Sequence, residues 1–391
     1  MISMDKRRAI VIGAGIGGLC SALALQQRGW QVAVYDKAAA LREAGAGIVL
    51  AANAMKALDV LGVGNNVREA GAPVMQADIR TWNGRLITSL PAAKQAAKYG
   101  THSYVIHRAE LQSILLQAVM AESPVYTGKQ WMRGEQTDDA ATAVFDDGMR
   151  EKAELVIGAD GIHSAIREQL FGASPLRYSG YTALRGVCTL ANIPIGAASG
   201  GGFEALGQGR RFGFSSLGNG RVFWFAAVNA PQGTILPAAE RKPALLDLFR
   251  GWYKPVVDAI EATDPATILA HDIVDRAPLA RWSSGRITLL GDAAHPMLPN
   301  LGQGGAQAIE DAVVLARCLQ QTEEDVPAAL RAYEKERMAR AYRVVRISRS
   351  MGRMVQLENA LLIRFRNAVM AATPGAAYVK RFDPIVGYVV R

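Results

Sequence analysis

The stretch Ala9-Ile-Val-Ile-Gly-Ala-Gly-Ile-Gly-Gly-Leu19, followed by Gln31-Val-Ala-Val-Tyr-Asp36, decides the fold. Residues 9–13 are a short apolar run suited to a strand buried on both faces. Gly13, Gly15, Gly17 and Gly18 follow at once. Leu19, Ala22 and Leu23 then recur at helical spacing, with Gly29 as the stop signal. A second apolar run ends in Asp36. Strand, glycine turn, helix, strand and acid in this order form a βαβ unit for a dinucleotide. Gly13 permits the tight turn, Gly15 lets the backbone approach a pyrophosphate, and Gly18 lets helix and strand pack closely. The helix N-terminus directs unpaired N–H groups and its positive dipole end at the phosphates. Asp36 is placed to accept the ribose hydroxyls of an adenosine, and Lys37 beside it is a weak match for a 2′-phosphate.

The chain has 391 residues, half of them hydrophobic, which is enough for two or three domains with a large core. Only 20% are charged, so disorder is excluded as the main character. Three cysteines without a CxxC pair support no disulfide framework, zinc knuckle or dithiol redox site. There is no apolar stretch of transmembrane length, and the N-terminus turns polar too soon for a secretory signal. A soluble cytoplasmic protein is expected. The net charge of +9 resides in residues 331–391, which hold 13 basic and 4 acidic side chains. Arg337, Arg340, Arg343, Arg346 and Arg349 recur every third residue and drift about 60° per step around a helix. A solvated, partly domain-bridging helix is expected there. No aromatic and basic platform accompanies the charge, so nucleic acid is not an expected partner.

Residues 178–189, 202–206, 211–216 and 221–228 read as strands, with Leu217-Gly-Asn-Gly220 as a hairpin signal. Helical stretches at 241–250 and 255–262 precede another strand at 267–276. This is an antiparallel sheet with helices on one side. Residues 286–290 return to a buried parallel-type strand ending at Gly291-Asp292, and helical periodicity runs from Gly305 to about 370, with breaks near 322–327 and at Pro374.

Three motifs lie at ordered distances from the glycine turn. They are His107-Arg108-Ala-Glu110-Leu111, Gly158-Ala-Asp160-Gly161-Ile-His163-Ser164-Ala-Ile-Arg167, and Gly291-Asp292-Ala-Ala-His295-Pro296 with Pro299-Asn-Leu-Gly302-Gln303-Gly304-Gly305-Ala306. Together with the turn they resemble the group A flavoprotein monooxygenases, the para-hydroxybenzoate hydroxylase family, nearest its urate-hydroxylase-, salicylate-hydroxylase- and zeaxanthin-epoxidase-like branches. The resemblance covers residues 9 to about 350. It implies an α/β fold: a discontinuous Rossmann-type FAD-binding domain (1–75, 101–177 and 278–345), an inserted antiparallel β-sheet substrate domain (76–100 and 178–277), and a C-terminal helical segment (346–391).

The resemblance also implies roles. Asp292 matches the acid that binds a ribityl hydroxyl of FAD. Gly302, Gln303, Gly304, Gly305 and Ala306 open a helix whose N–H groups stabilise negative charge on the flavin pyrimidine. Asp160 belongs to a motif implicated in binding both FAD and NAD(P)H, and Arg108 matches an arginine of the ribityl or phosphate region. Arg42 and Gly47 belong to a segment along the isoalloxazine ring, and Pro296 to a loop at its reacting edge. Arg211 matches a substrate- or flavin-side arginine of the urate-hydroxylase-like branch. Phe223 replaces the tyrosine that accompanies it there, a departure from a urate site. Tyr178, Tyr181 and Arg185 are further polar candidates near the domain junction, read as structural rather than catalytic, and His163 and His295 read as structural rather than chemical.

The implied cycle reduces FAD with transiently bound NADH or NADPH, forms a C4a-hydroperoxide with O2, and hydroxylates a small aromatic or heteroaromatic molecule. Epoxidation of an alkene, inactivation of an antibiotic-type polyketide, and a flavin oxidase or dehydrogenase without oxygen insertion are the alternatives. No second GxGxxG unit and no metal-ligand spacing are present, so O2 activation falls to the flavin. The sheet domain, with Phe212, Phe214, Phe223, Trp224 and Phe225, is the expected wall of the cavity, and alternation places Phe223 and Phe225 on one sheet face and Trp224 on the other. A monomer or homodimer is expected.

Overall fold

In the computed structural model, which describes residues 7–41, 46–191, 200–322 and 325–390, the glycine-turn unit sits at the centre of a parallel sheet. Arg8–Ile12 pairs in parallel with Gln31–Tyr35 on one side and Leu155–Gly158 on the other. Val125–Tyr126 extends the first side, and Ile287–Leu289 extends the second, again in parallel. Arg8–Ile12, Leu155–Gly158 and Ile287–Leu289 are buried almost throughout, which is why they read as continuous apolar runs. The helices Ile16–Gln26 and Gly304–Gln321 pack together against the sheet, the latter burying Gln307, Glu310 and Asp311 along with its apolar side chains.

The second sheet is mainly antiparallel. Its order is Leu269–Arg276, Leu176–Thr189, Arg221–Asn229, Arg210–Gly218, Gly201–Leu206, Gln76–Thr81, Leu86–Leu90. Gly201–Leu206 and Gln76–Thr81 pair in parallel. The hairpin between Arg210–Gly218 and Arg221–Asn229 turns at Asn219 and Gly220, both at positive φ, as a tight two-residue turn requires. One face, with Phe212, Phe214 and Trp224, is covered by the helices Ala238–Leu248 and Lys254–Glu261. Phe223 and Phe225 lie on the opposite face, with Val187 and Leu269, against Ala46, Val49 and Val105. That alternation matches the sequence reading, but Phe212, Phe214 and Trp224, expected with them in the cavity wall, are instead packed under the helices on the far face.

Two smaller sheets were not foreseen: Trp131–Gln136 with Ala141–Phe145 and Arg150–Ala153, and Gly47–Leu50 with Tyr104–His107 and Ala72–Pro73. The C-terminal arginines require a correction. The helix Val326–Val355 runs unbroken across the division placed at 345/346, and it is not solvated all round. Arg337 is fully buried, bound by Asp311 at 2.7 Å and Glu310 at 2.5 Å. Arg349 pairs with the buried Asp275 at 2.8 Å. Arg343 and Arg346 are the exposed ones. The three-residue spacing does wrap the helix, and the helix is wedged between both domains, so some turns of the spiral must meet buried acids.

Candidate active site

Neighbouring atoms dictate three of the four turn glycines. At Gly13 (φ +109°) a Cβ would strike Ala159 O at 2.3 Å, and at Gly18 it would lie 1.9 Å from Gly13 O. At Gly17 it would meet Leu290 Cδ2 at 2.8 Å and Ala308 Cβ at 3.2 Å. This last contact places the N-terminal turns of Ile16–Gln26 and Gly304–Gln321 side by side. At Gly15, by contrast, no protein atom lies within 4 Å. The bare backbone there faces open space, bordered by helix N–H groups, which is the cradle a pyrophosphate needs. Asp36 accepts from Ala14 N–H at 2.7 Å and from Ala38 N–H at 2.8 Å, holding the turn from the second strand. Gln112 steadies it from the helix Arg108–Met120 by donating to Ala14 O at 3.0 Å. Lys37 is exposed and outside this arrangement.

The Asp292 motif forms the other side. Protein atoms crowd the Asp292 carboxyl, and this burial pushes its pKa up against the attraction of His295 and Arg108. Its surface is nonetheless accessible, so it stands on the floor of an open cleft. The main chain around it is heavily supported. Gly291 N–H donates to Asp311 at 3.1 Å, and His295 Nε2 meets the same carboxylate at 2.5 Å. Buried Arg167 donates to the carbonyls of Ala293, Ala294 and Ala277 at 2.9–3.1 Å. His295 is therefore a brace for the motif, and Pro296 beside it is buried. Gly302 is left-handed, and the helix opens at Gly304 with Asp292 Oδ1 about 4.0 Å from where its Cβ would be. Gly305 abuts Ile48, Ala306 is buried, and Gln303 bonds Asn53 at 2.9 Å.

Asp160 caps its own following helix, accepting from Ala165 N–H at 2.9 Å, while its buried Oδ1 has no partner. Burial raises its pKa against those hydrogen bonds. His163 is exposed. Phe223 lies on Gly47, and Arg108 N–H donates to Ala46 O at 2.9 Å, joining this strand to the site. Arg211 is buried, held by Glu204 at 2.9 Å and by Asn300 of the 296–305 loop. It thus ties the sheet wall to that loop, a link the sequence reading missed because Asn300 lies 89 residues away. Arg42 lies outside the described residues. The buried Asn53–Glu310–Arg337 chain behind Gln303 was also missed; its only sequence signal was a pair of acids on an otherwise apolar helix.

These features define a flavin nucleotide site between a Rossmann-type domain and a sheet wall. The chain belongs to the family described as "FAD binding domain", which matches residues 6–182 and 257–348, and FAD is its cofactor. It is 40% identical over 361 residues, 92% of this chain and 93% of the relative, to the aurachin C monooxygenase/isomerase of Stigmatella aurantiaca. It is 37% identical over 339 residues, 85% of this chain and 86% of the relative, to the FAD-dependent urate hydroxylase of Klebsiella pneumoniae subsp. pneumoniae. The crystal structure of Klebsiella pneumoniae HpxO complexed with FAD and uric acid superposes with a TM-score of 0.91 at 33% identity, covering 97% of both chains. The chain is an FAD-dependent monooxygenase of the para-hydroxybenzoate hydroxylase-like fold.

Proposed function

We propose that the protein uses NADH or NADPH and O2 to hydroxylate a small aromatic or heteroaromatic molecule held between the flavin and the Phe223–Phe225 face. The observation that carries this reading is the open space at Gly15 beside two helix N-terminal turns that touch at Gly17, with Asp36 bonded to the glycine turn and Asp292 near Gly304. Two positive dipole ends suit a diphosphate and a flavin that becomes anionic on reduction. FAD, when bound, supplies hydride acceptance and oxygen activation.

The chain's own residues bind, orient and exclude water. Gly15 would leave room for the pyrophosphate, Asp36 would take the adenosine ribose, and Asp292 would offer an acceptor to the ribityl chain. The N–H groups at Gly304 and Gly305 would stabilise charge at the ring. The buried ring of Phe223 and the half-buried ring of Phe225 keep the reacting space dry, which suppresses loss of the activated oxygen to water. Arg211 holds the 296–305 loop against this wall through Asn300. The three cysteines are free and buried, which suits a reducing, cytoplasmic setting. No helix among the described residues is long and apolar enough to cross a membrane. A monomer or homodimer acting without nucleic acid completes the reading.

The test is Asp292→Ala together with isotope labelling. The variant should fold and lose its yellow colour on gel filtration. The wild type should place one atom from labelled O2 in the product for each NAD(P)H consumed productively. An Asp292→Ala protein that keeps full flavin content removes that acid from the cofactor site.

A further inference from the structure

Arg185 stands in the middle of the antiparallel sheet, opposite Phe225 on one neighbouring strand and Leu269 on the other. Two residues from Val187 on the same strand, it shares the face of Phe223 and Phe225, the one turned towards the nucleotide domain. Two of the polar side chains near it have partners. Tyr181 donates to Asn300 at 3.0 Å, and Arg211 is bound by Glu204 and Asn300. The Arg185 guanidinium has no hydrogen bond or ion pair among the described residues. Burial disfavours its charge, and the nearby Arg108 guanidinium acts in the same direction. Arg108 is also within electrostatic reach of Asp292, so Arg185 faces the flavin cleft.

An arginine cannot shed its proton, and a guanidinium held among apolar side chains without an anion is costly. The sequence reading favoured a structural role for this polar candidate, yet among the described residues Arg185 ties no element to another. We propose that Arg185 is the anion-binding group of the substrate pocket, and that the substrate is a flat aromatic molecule carrying an anionic oxygen, either a carboxylate or an ionised ring hydroxyl. The apolar neighbours take the ring and the guanidinium fork takes the oxygen, fixing which edge of the ring faces the flavin. This rests on the function proposed above.

The experiment uses the FAD-loaded protein and first checks that wild type is yellow and is bleached by NADH or NADPH; failure here sinks the function, not the assignment of Arg185. Benzoate, its neutral isostere benzamide, and 4-cyanophenol above and below its ionisation pH are then titrated, following the visible flavin band. Wild type should bind an anion at least tenfold more tightly than its neutral counterpart. Preference for benzoate identifies a carboxylate substrate, and preference for ionised 4-cyanophenol a ring oxyanion. Arg185→Gln should lose that tenfold preference while binding benzamide as before, and Arg185→Lys should keep part of it. Because Arg185→Gln removes an unpaired charge, its melting temperature should equal or exceed that of wild type. A lower melting temperature with anion preference intact, no preference in wild type, or equal weakening of both probes overturns the proposal.

Discussion

Phe223 lies directly on Gly47: a Cβ on the glycine would fall 2.4 Å from Cγ of the ring. A side chain of the sheet wall thus rests on bare backbone of the nucleotide domain, and the fit leaves no room for a methyl group. Gly47→Ala should therefore destabilise the protein by about 1–3 kcal/mol. In a Phe223→Ala background the same substitution should cost much less, since the two sites are in contact. Chemical denaturation of the four proteins measures the coupling; additive effects would mean the contact is not formed.

The same ring should govern coupling of the reaction. Phe223→Ala opens the wall, and a buried aromatic truncation costs about 3–5 kcal/mol in a core. The FAD-bound variant should continue to oxidise NAD(P)H while product falls and hydrogen peroxide rises. Full coupling in folded, FAD-bound Phe223→Ala would remove Phe223 from the pocket wall.

Two glycines of one turn should behave oppositely. Gly15→Val adds a side chain to open space, so the protein should fold and emerge colourless. Gly18→Ala pushes a methyl group to 1.9 Å from Gly13 O, so it should fail to fold or melt far below wild type. Flavin absorbance and thermal melts separate the two; a yellow Gly15→Val protein would place the pyrophosphate elsewhere.

Asp311 should make the protein acid-sensitive in a narrow window. Burial alone would raise its pKa, but His295 and Arg337 outweigh that and bring it from 3.8 down to about 2. A carboxylate with a depressed folded-state pKa contributes its stability above its unfolded value and loses it as pH falls. The shift corresponds to stability on the order of 2 kcal/mol, lost between about pH 4 and pH 2. Asp311→Asn should be less stable at neutral pH and flatter across that window, as read by denaturant midpoints.

The C-terminal arginines should divide by burial. Arg337→Met removes the buried cation shared by Glu310 and Asp311, leaving them only Arg340 and His295, and should cost about 3 kcal/mol. It should also loosen FAD, because Asp311 holds the Gly291 main chain. Arg343→Gln and Arg346→Gln should each stay within about 0.5 kcal/mol of wild type. A strong loss of stability from either exposed residue would show that it meets a partner.

Legibility in the sequence followed locality. The glycine turn and the four strands from 176 to 229 were readable to within a few residues, because apolar runs, alternation and the Asn219-Gly220 turn are local signals. The small sheet containing Trp131–Gln136 was not, since its strands mix charged and apolar residues without clean alternation. Arg337 looked like every other arginine in its series; only the position of Glu310, 27 residues earlier on another helix, makes it a buried ion-pair partner. Arg185 was visible as a polar residue, but that it has no partner among the described residues is a property of its three-dimensional surroundings alone.

The parallel sheet has a consequence for how the chain is made. Leu155–Gly158 pairs with Ile287–Leu289, so roughly 130 residues must leave the ribosome after one strand before its neighbour exists. At about 5–20 residues per second, this is an interval on the order of ten seconds. Asp292 and the helix from Gly304 arrive later still. Throughout that time the glycine turn exists without its opposing helix, and the nascent chain presents an unpaired strand edge. Full cofactor capture therefore belongs to the end of synthesis, and free FAD present when residues 287–321 emerge should raise the yield of folded protein.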